Sequence, residues 1–206
     1  MQTARDTPPT MEIPPATVVA LDDARLVLMA QADARAFAPL YGRYADPVYR
    51  YCYRKLGNPD LAADATAQVF VQALAALRRY RPEGNSFRAW IFTIAHNVIV
   101  DHFRARRPVA PIAAAAHVPT AEPSPEETML RHEAGSTVRA LLATLPPEQR
   151  QILELRLAGL TGGEIATVLG RTPGSVRVAQ ARAFARLRER LAANDAAAQE
   201  GAHGDA

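Results

Sequence analysis

Between Thr161 and Leu187 the sequence ends one helix and starts another within a few residues, and this constrains the fold more than any other feature. Thr161-Gly162-Gly163-Glu164 is a capping box: a hydroxyl and a carboxylate three residues apart can each satisfy a backbone N–H the other leaves free. Ile165, Val168 and Leu169 supply the inner face of a short helix, and Ala166 is small where a second helix must cross closely. Gly170 stands at the stop, where a left-handed residue is needed and glycine has no steric penalty. Thr172-Pro173 then opens a new helix with a cap and a proline in the first turn, and Val176, Ala183 and Leu187 give it an apolar stripe. Short helix, glycine turn and capped helix make the helix-turn-helix layout, whose second helix lies in the major groove of duplex DNA. The competing reading is a plain helical hairpin in a bundle. A strongly basic second helix weighs against it.

The charge is unevenly placed. The net formal charge is only +3, yet residues 78–107 hold seven Arg against Glu83 and Asp101, and residues 171–190 hold six Arg against Glu189. Between them, residues 109–149 hold five Glu against Arg131 and Arg139. Two basic blocks flanking an acidic connector suggest two contacts with a polyanion, although charge runs are more often solvated helix faces. Near the start of the second helix of the motif, Arg171, Thr172, Ser175, Arg177 and Val178 are placed to meet base edges. Arg can fork onto guanine and Val can touch a thymine methyl. Arg182, Arg186, Arg188 and Arg190 lie further along and are expected to meet phosphates.

The rest of the chain reads as helices and linkers. Residues 1–21 carry four prolines without periodicity and are expected to be disordered. Phe37, Leu40, Tyr41 and Tyr44 share a helix face, and Val48, Cys52 and Leu56 continue on a second helix that Gly57 stops. Asn58-Pro59 opens a helix to about Tyr80 with Phe70, Leu74 and Leu77 on one face. After a loop at residues 81–86, Phe87, Trp90, Ile91, Ile94 and Val98 form the buried stripe of a fourth helix. Residues 108–125 hold five prolines and an alanine run, which is linker composition. The expected organisation is all-α: a domain at 22–107, a linker at 108–125, a helix-turn-helix domain at 126–193 and a disordered tail at 194–206.

Several function classes lose support. The lone Cys52 cannot form an internal disulfide, its spacing reads as core, and no Cys/His spacing suggests zinc. No metal site or cofactor is expected. No apolar run reaches the length of a membrane span, and the first residues lack the apolar stretch of a signal peptide, so a cytoplasmic protein is expected. No Gly-rich phosphate loop, triad or carboxylate pair supports an enzyme. His96 has no second ligand at metal spacing and reads as a surface histidine, while Trp90 reads as core.

Two sets of residues resemble one family. Leu145-Pro146-Pro147-Glu148-Gln149-Arg150, Leu155-Arg156, Leu160 to Ala166, Gly174-Ser175-Val176-Arg177, Arg182-Ala183 and Leu187-Arg188 resemble the C-terminal promoter-binding domain of extracytoplasmic-function sigma factors. Phe87-Arg88-Ala89-Trp90-Ile91, Ile94-Ala95-His96-Asn97, Asp101 and Arg104 resemble that family's other promoter domain. Together the two sets cover roughly residues 23–192.

The resemblance implies core RNA polymerase and promoter DNA as partners, and it admits an anti-sigma factor that the sequence does not name. It implies that the N-terminal domain melts and reads the minus-ten element, with Arg81, Asn85, Ser86, Asn97 and Arg104 at positions that meet DNA. It implies that the C-terminal domain reads the minus-thirty-five element. Asp64, Gln68 and Phe70 match positions of the polymerase-binding stretch. That stretch usually reads Asp-Leu-Val-Gln-Glu, then an apolar residue and Phe; here it is Asp64-Ala65-Thr66-Ala67-Gln68-Val69-Phe70, one carboxylate and one amide short. Ala179 and Gln180 likewise replace a usual Arg and Leu. The alternative is a stand-alone helix-turn-helix regulator that does not bind polymerase.

Overall fold

The computed structural model describes residues 21–82, 85–105 and 138–203, and all regular structure among them is helical. Among the described residues, four α-helices and two 3-10 turns, the second at Leu77–Arg79, build the N-terminal unit. Helix α1 spans Asp23–Ala32, where the Asp22 carboxylate caps the start by accepting the Arg25 N–H at 2.8 Å. A 3-10 turn at Ala34–Phe37 leads into α2, Ala38–Leu56. Gly57, at φ 70°, ends α2, and Asn58 begins α3, Pro59–Ala76, by accepting the Leu61 N–H at 2.9 Å. Helix α4, Phe87–Ala105, closes the unit.

Their shared core is built by Leu26, Leu40, Val48, Tyr51, Cys52, Val69, Leu77, Ile91 and Phe92, each no more than 1% exposed. Burial pushes the Cys52 thiol up to about 11, as expected of a packed and unreactive sulfhydryl.

Three sequence expectations change here. The two helices expected on either side of residue 47 are one: α2 runs unbroken through Pro47. An interior proline costs about 3 kcal/mol, but Leu40, Tyr44, Val48, Tyr51 and Cys52 lie along a single buried face, and their burial outweighs that cost. Leu74 is not on the buried face of α3; it is 44% exposed, and Val69, Phe70, Ala73 and Leu77 do the packing. Leu74 is turned some 100° from Ala73 by the helical period. Trp90 and Ile94 lie at the margin of the core, partly buried, with the Trp90 ring 4.7 Å from that of Tyr80.

The C-terminal unit begins with α5, residues 138–143, followed by α6, Pro147–Leu157, then α7, Gly162–Leu169, and α8, Pro173–His203. The capping box forms as the spacing requires: the Glu164 carboxylate accepts the Thr161 N–H at 2.7 Å, and the Thr161 hydroxyl accepts the Glu164 N–H at 3.3 Å. Gly170 stops α7 at φ 61°. Val176, Ala179 and Ala183 are buried on α8. The tail expected from residue 194 is helical as far as His203, in keeping with an alanine-rich composition of high helix propensity. The extension 1–20, the linker 108–125 and residues 204–206 lie outside the described residues.

The two units are packed together. Ile152, Leu155, Leu160, Ile165, Val168 and Val176 of the second unit belong to the same apolar cluster as the core of the first.

Candidate nucleic-acid interface

The helix-turn-helix presents its second helix outward. Because Val176, Ala179 and Ala183 face the protein, helical periodicity turns the opposite side of α8 to solvent, and Arg171, Thr172, Ser175, Arg177, Val178 and Arg182 are all exposed. Thr172 caps the helix by accepting the Ser175 N–H at 3.2 Å, and the Ser175 hydroxyl donates back to the Thr172 carbonyl at 2.8 Å. Arg171 is ion-paired with Glu148 at the start of α6. A cleft of about 500 Å³ lies between the N-termini of α7 and α8, bounded by Arg156, Gly162, Gly163, Gly174 and Arg177. Helix N-termini carry free N–H groups and positive partial charge, so a cleft with two of them and two guanidinium groups favours an anion such as a backbone phosphate. Arg186, expected at phosphate, is exposed and donates through one guanidinium nitrogen to the Gln149 side chain at 3.2 Å, which ties α8 to α6.

In the N-terminal unit the candidate DNA residues fall into two groups. Asn97 and Arg104 are exposed and seven residues apart on α4, hence on one face, with Arg104 3.5 Å from Asp101. Arg81, Asn85 and Ser86 lie at the other end, in the loop before α4, of which Glu83 and Gly84 are outside the described residues. Ser86 caps α4 by accepting the Ala89 N–H at 3.1 Å. Beside this loop is a cavity of about 450 Å³ walled by Asp23, Val27, Tyr80, Pro82, Asn85 and Phe87. Tyr80 is held over it by donating its hydroxyl to the Asn85 carbonyl at 2.8 Å. Asp22 lines it as well, so two carboxylates stand beside rings that are themselves buried, Tyr80 at 6% and Phe87 at 2% exposure.

On α3, Asp64 and Gln68 are exposed, as are Ala67 and Val71, whereas Phe70 is 6% exposed with its ring 4.7 Å from that of Tyr41. Phe70 therefore supports this surface from beneath.

The contact between the units was not legible in the sequence. The Ser86 hydroxyl donates to Glu164 at 2.5 Å and the Thr167 hydroxyl to the Asn85 side chain at 3.4 Å. Arg88 donates to the Gly159 carbonyl at 3.1 Å, and Arg54 to the Glu154 carbonyl at 3.2 Å. The Glu154 carboxylate, almost wholly buried, is paired with Lys55. The Arg139 guanidinium sits over the Tyr53 ring, 4.6 Å from its centroid. Burial raises the Glu164 pKa, but the hydrogen bonds from Ser86 and Thr161 and the nearby Arg88 outweigh it, and the carboxyl lies below its ordinary range.

His96 departs from the surface position expected of it. It is half-buried, with Gln151 of α6 at 3.3 Å and the Tyr51 hydroxyl at 3.4 Å. Burial first, and the Lys55 cation second, push its pKa below the ordinary 6.5. The folded state thus favours neutral His96, so its contribution to stability is complete above about pH 6.5 and is lost as pH falls toward the lowered value. Facing it are Lys55 and Tyr51 of α2 and Gln151 of α6, with the Glu154 carboxylate bound to Lys55. Between pH 7.5 and 5 the thermal midpoint of wild type is expected to fall further than that of His96→Gln, read by circular dichroism. Parallel pH profiles would refute this.

Comparison with known proteins agrees with this division. The family model of Sigma-70 region 2 matches residues 40–109, and that of Sigma-70 region 4 matches residues 136–187. The chain is 36% identical over 175 residues to the ECF RNA polymerase sigma factor BldN of Streptomyces coelicolor, covering 83% of this chain and 66% of BldN. It is 36% identical to the ECF sigma factor ShbA of Streptomyces griseus, covering 77% of this chain and 88% of ShbA. It is 33% identical to SigD of Mycobacterium tuberculosis, covering 89% and 91%. Among solved structures, CnrH in complex with the cytosolic domain of CnrY matches with a TM-score of 0.63 at 27% identity, over 83% of this chain and 97% of CnrH. Two promoter-domain matches in the same order, on a helix-turn-helix with an exposed basic helix and a helical unit with a loop-side cavity, establish that the chain belongs to the extracytoplasmic-function family of RNA polymerase sigma factors.

Proposed function

We propose that the chain binds core RNA polymerase and directs transcription initiation at specific promoters, as a binding subunit that leaves catalysis to the polymerase. The observation that carries this reading is the presence of two different DNA-facing elements in one chain. One is an outward-facing basic recognition helix, and the other is the loop before α4, which borders a cavity of about 450 Å³. The first suits duplex DNA and the second an unstacked strand, and a factor that opens promoters needs both. Residues 22–107 take the minus-ten element and the polymerase, and residues 126–193 the minus-thirty-five element. Ser175, Arg177, Val178 and Arg182 read bases or adjacent phosphates; Arg81, Asn85, Ser86, Asn97 and Arg104 meet the melted strand. CnrH is bound to the cytosolic domain of CnrY in its structure, and an anti-sigma partner for this chain is part of the proposal. No helix of the described residues is long and apolar enough to cross a membrane, which is consistent with action in the cytoplasm. Transcription from a promoter library by core polymerase, with and without the chain, tests the reading. Transcripts that start at one promoter class only when the chain is added are expected. Sequence-specific footprints with no core binding would favour the stand-alone regulator instead.

The polymerase face is proposed to be the exposed side of α3 around Asp64 and Gln68, held in shape by Phe70. Gln68 offers hydrogen bonding without charge and Ala67 offers neither. The double substitution Ala67→Gln/Gln68→Glu is therefore expected to tighten core binding severalfold, more at low salt where surface charge is least screened. Titration against core polymerase at two salt concentrations checks it. Unchanged affinity at both would remove these positions from the contact.

A further inference from the structure

We infer that α8 selects its promoter element through thymine methyl groups, with Val178 and Ala181 seated on A·T pairs at the centre of the contact and Arg177 and Arg182 on its two flanks. This rests on the reading of residues 126–193 as the unit that takes the upstream element, and adds the chemistry of the bases it selects.

The inner face of α8 is set by Val176, Ala179 and Ala183, which are buried, and by Gln180 and Leu187, which are partly so. At about 100° per residue, the line opposite that face runs through Gly174, Val178, Ala181 and Ala185. All four are exposed, and none carries a side-chain donor or acceptor. The largest side chain on this line is that of Val178, which is 47% exposed. Around the others the surface is low, and a Cβ built at Gly174 would meet nothing within 4 Å.

The polar groups near this line are turned elsewhere. The Ser175 hydroxyl donates to the Thr172 carbonyl at 2.8 Å, and the Thr172 hydroxyl accepts the Ser175 N–H at 3.2 Å. Arg171 is paired with Glu148. A glutamine amide can pair with adenine, but Gln180 lies on the inner side and lines the cleft with Gly162 and Gly163. Arg177 and Arg182 lie roughly 60–80° from the outermost line, on opposite sides. They straddle the apolar centre, where each can take a phosphate or a guanine at the edge of the contact.

The groove supplies the complement. A helix about 10–12 Å across fills a major groove about 12 Å wide, so its outermost line meets the base edges. Every base pair loses water from its polar edge beneath Val178 and Ala181. Only a pair with thymine returns an apolar contact, because the thymine C5 methyl is the one apolar group the bases present there. A G·C pair under the same side chains gains no partner.

The test uses holoenzyme formed from the full chain and core polymerase, with duplexes randomised over the upstream element. The selected centre is expected to consist of A·T pairs. Each thymine there is then replaced by deoxyuridine, which removes the methyl and keeps every hydrogen-bonding group. Wild type should bind about three- to fourfold more weakly at each contacted position, the loss expected for one buried methyl. Val178→Ser should abolish the thymine–uracil difference at one position and leave it at the neighbouring one. Uracil as good as thymine throughout, with A·T pairs still selected, would mean that the element is read by its shape, and would overturn the inference. So would a G·C centre, or Val178→Ser that discriminates as wild type does. Those outcomes leave the promoter reading standing. Enrichment of no upstream sequence at all would remove both the inference and the reading of residues 126–193 on which it rests.

Discussion

Replacing Phe92 by alanine is expected to destabilise the N-terminal unit by about 3–5 kcal/mol, the range for truncating a fully buried aromatic. Phe92 is 0% exposed in the middle of α4, and its ring meets that of Tyr51 edge-on with centroids 5.6 Å apart. Tyr51 is itself wholly buried, and burial pushes its phenol well above the ordinary range, with the Glu154 carboxylate adding to the shift. The neighbourhood is therefore too full to collapse around the missing ring, which places the loss toward the upper end. Leu74→Ala is the matched control. Periodicity in the sequence puts Leu74 with Phe70 and Leu77, but its 44% exposure predicts a change within about 0.5 kcal/mol. Urea unfolding followed by circular dichroism measures both. Equal losses in the two variants would mean that α3 and α4 are packed otherwise than described.

The second large effect is expected on DNA. If Arg177 forks onto a base, Arg177→Ala should weaken binding to the cognate upstream element by about 1–3 kcal/mol and flatten the preference for it over scrambled sequence. The side chain is exposed one residue beyond the buried Val176, at the mouth of the cleft between the two helix N-termini. It therefore also lies within reach of phosphate, and the two roles separate by sequence dependence. A phosphate contact would weaken all duplexes alike and reduce the salt slope by about one. Arg188, exposed further along α8, supplies that comparison. Arg186, exposed and also donating to Gln149, is expected to behave in the same way. Matched and scrambled duplexes titrated at two salt concentrations decide it. Identical behaviour of Arg177→Ala and Arg188→Ala would remove Arg177 from base readout.

The elements of this protein were legible because their signals are local. Asn58-Pro59, Thr161 with Glu164, and Gly170 act on backbone groups within four residues of themselves, so their spacing alone predicts where helices start and stop. The outward face of α8 followed for the same reason, since Val176 and Ala183 set its period. Where local rules compete with packing, the sequence misleads: Pro47 signals a break that the buried face of α2 overrides, and Leu74 carries the right residue type on the wrong side of α3.

From sequence alone came the two helical units, the helix-turn-helix, the basic faces and the order of the two promoter motifs. The helices, the helix-turn-helix and its outward face depend on interactions a few residues apart, and the order of the promoter motifs came from the family resemblance. Only the tertiary structure decided that His96 is covered by Gln151, that Phe70 lies beneath the α3 surface, and that Lys55 meets Glu154 across 98 intervening positions. Long-range pairing leaves no periodic trace, because a carboxylate on a helix reads the same whether it faces water or a lysine of another unit. Its partner is set by how two whole surfaces fit, and that is a property of the folded chain.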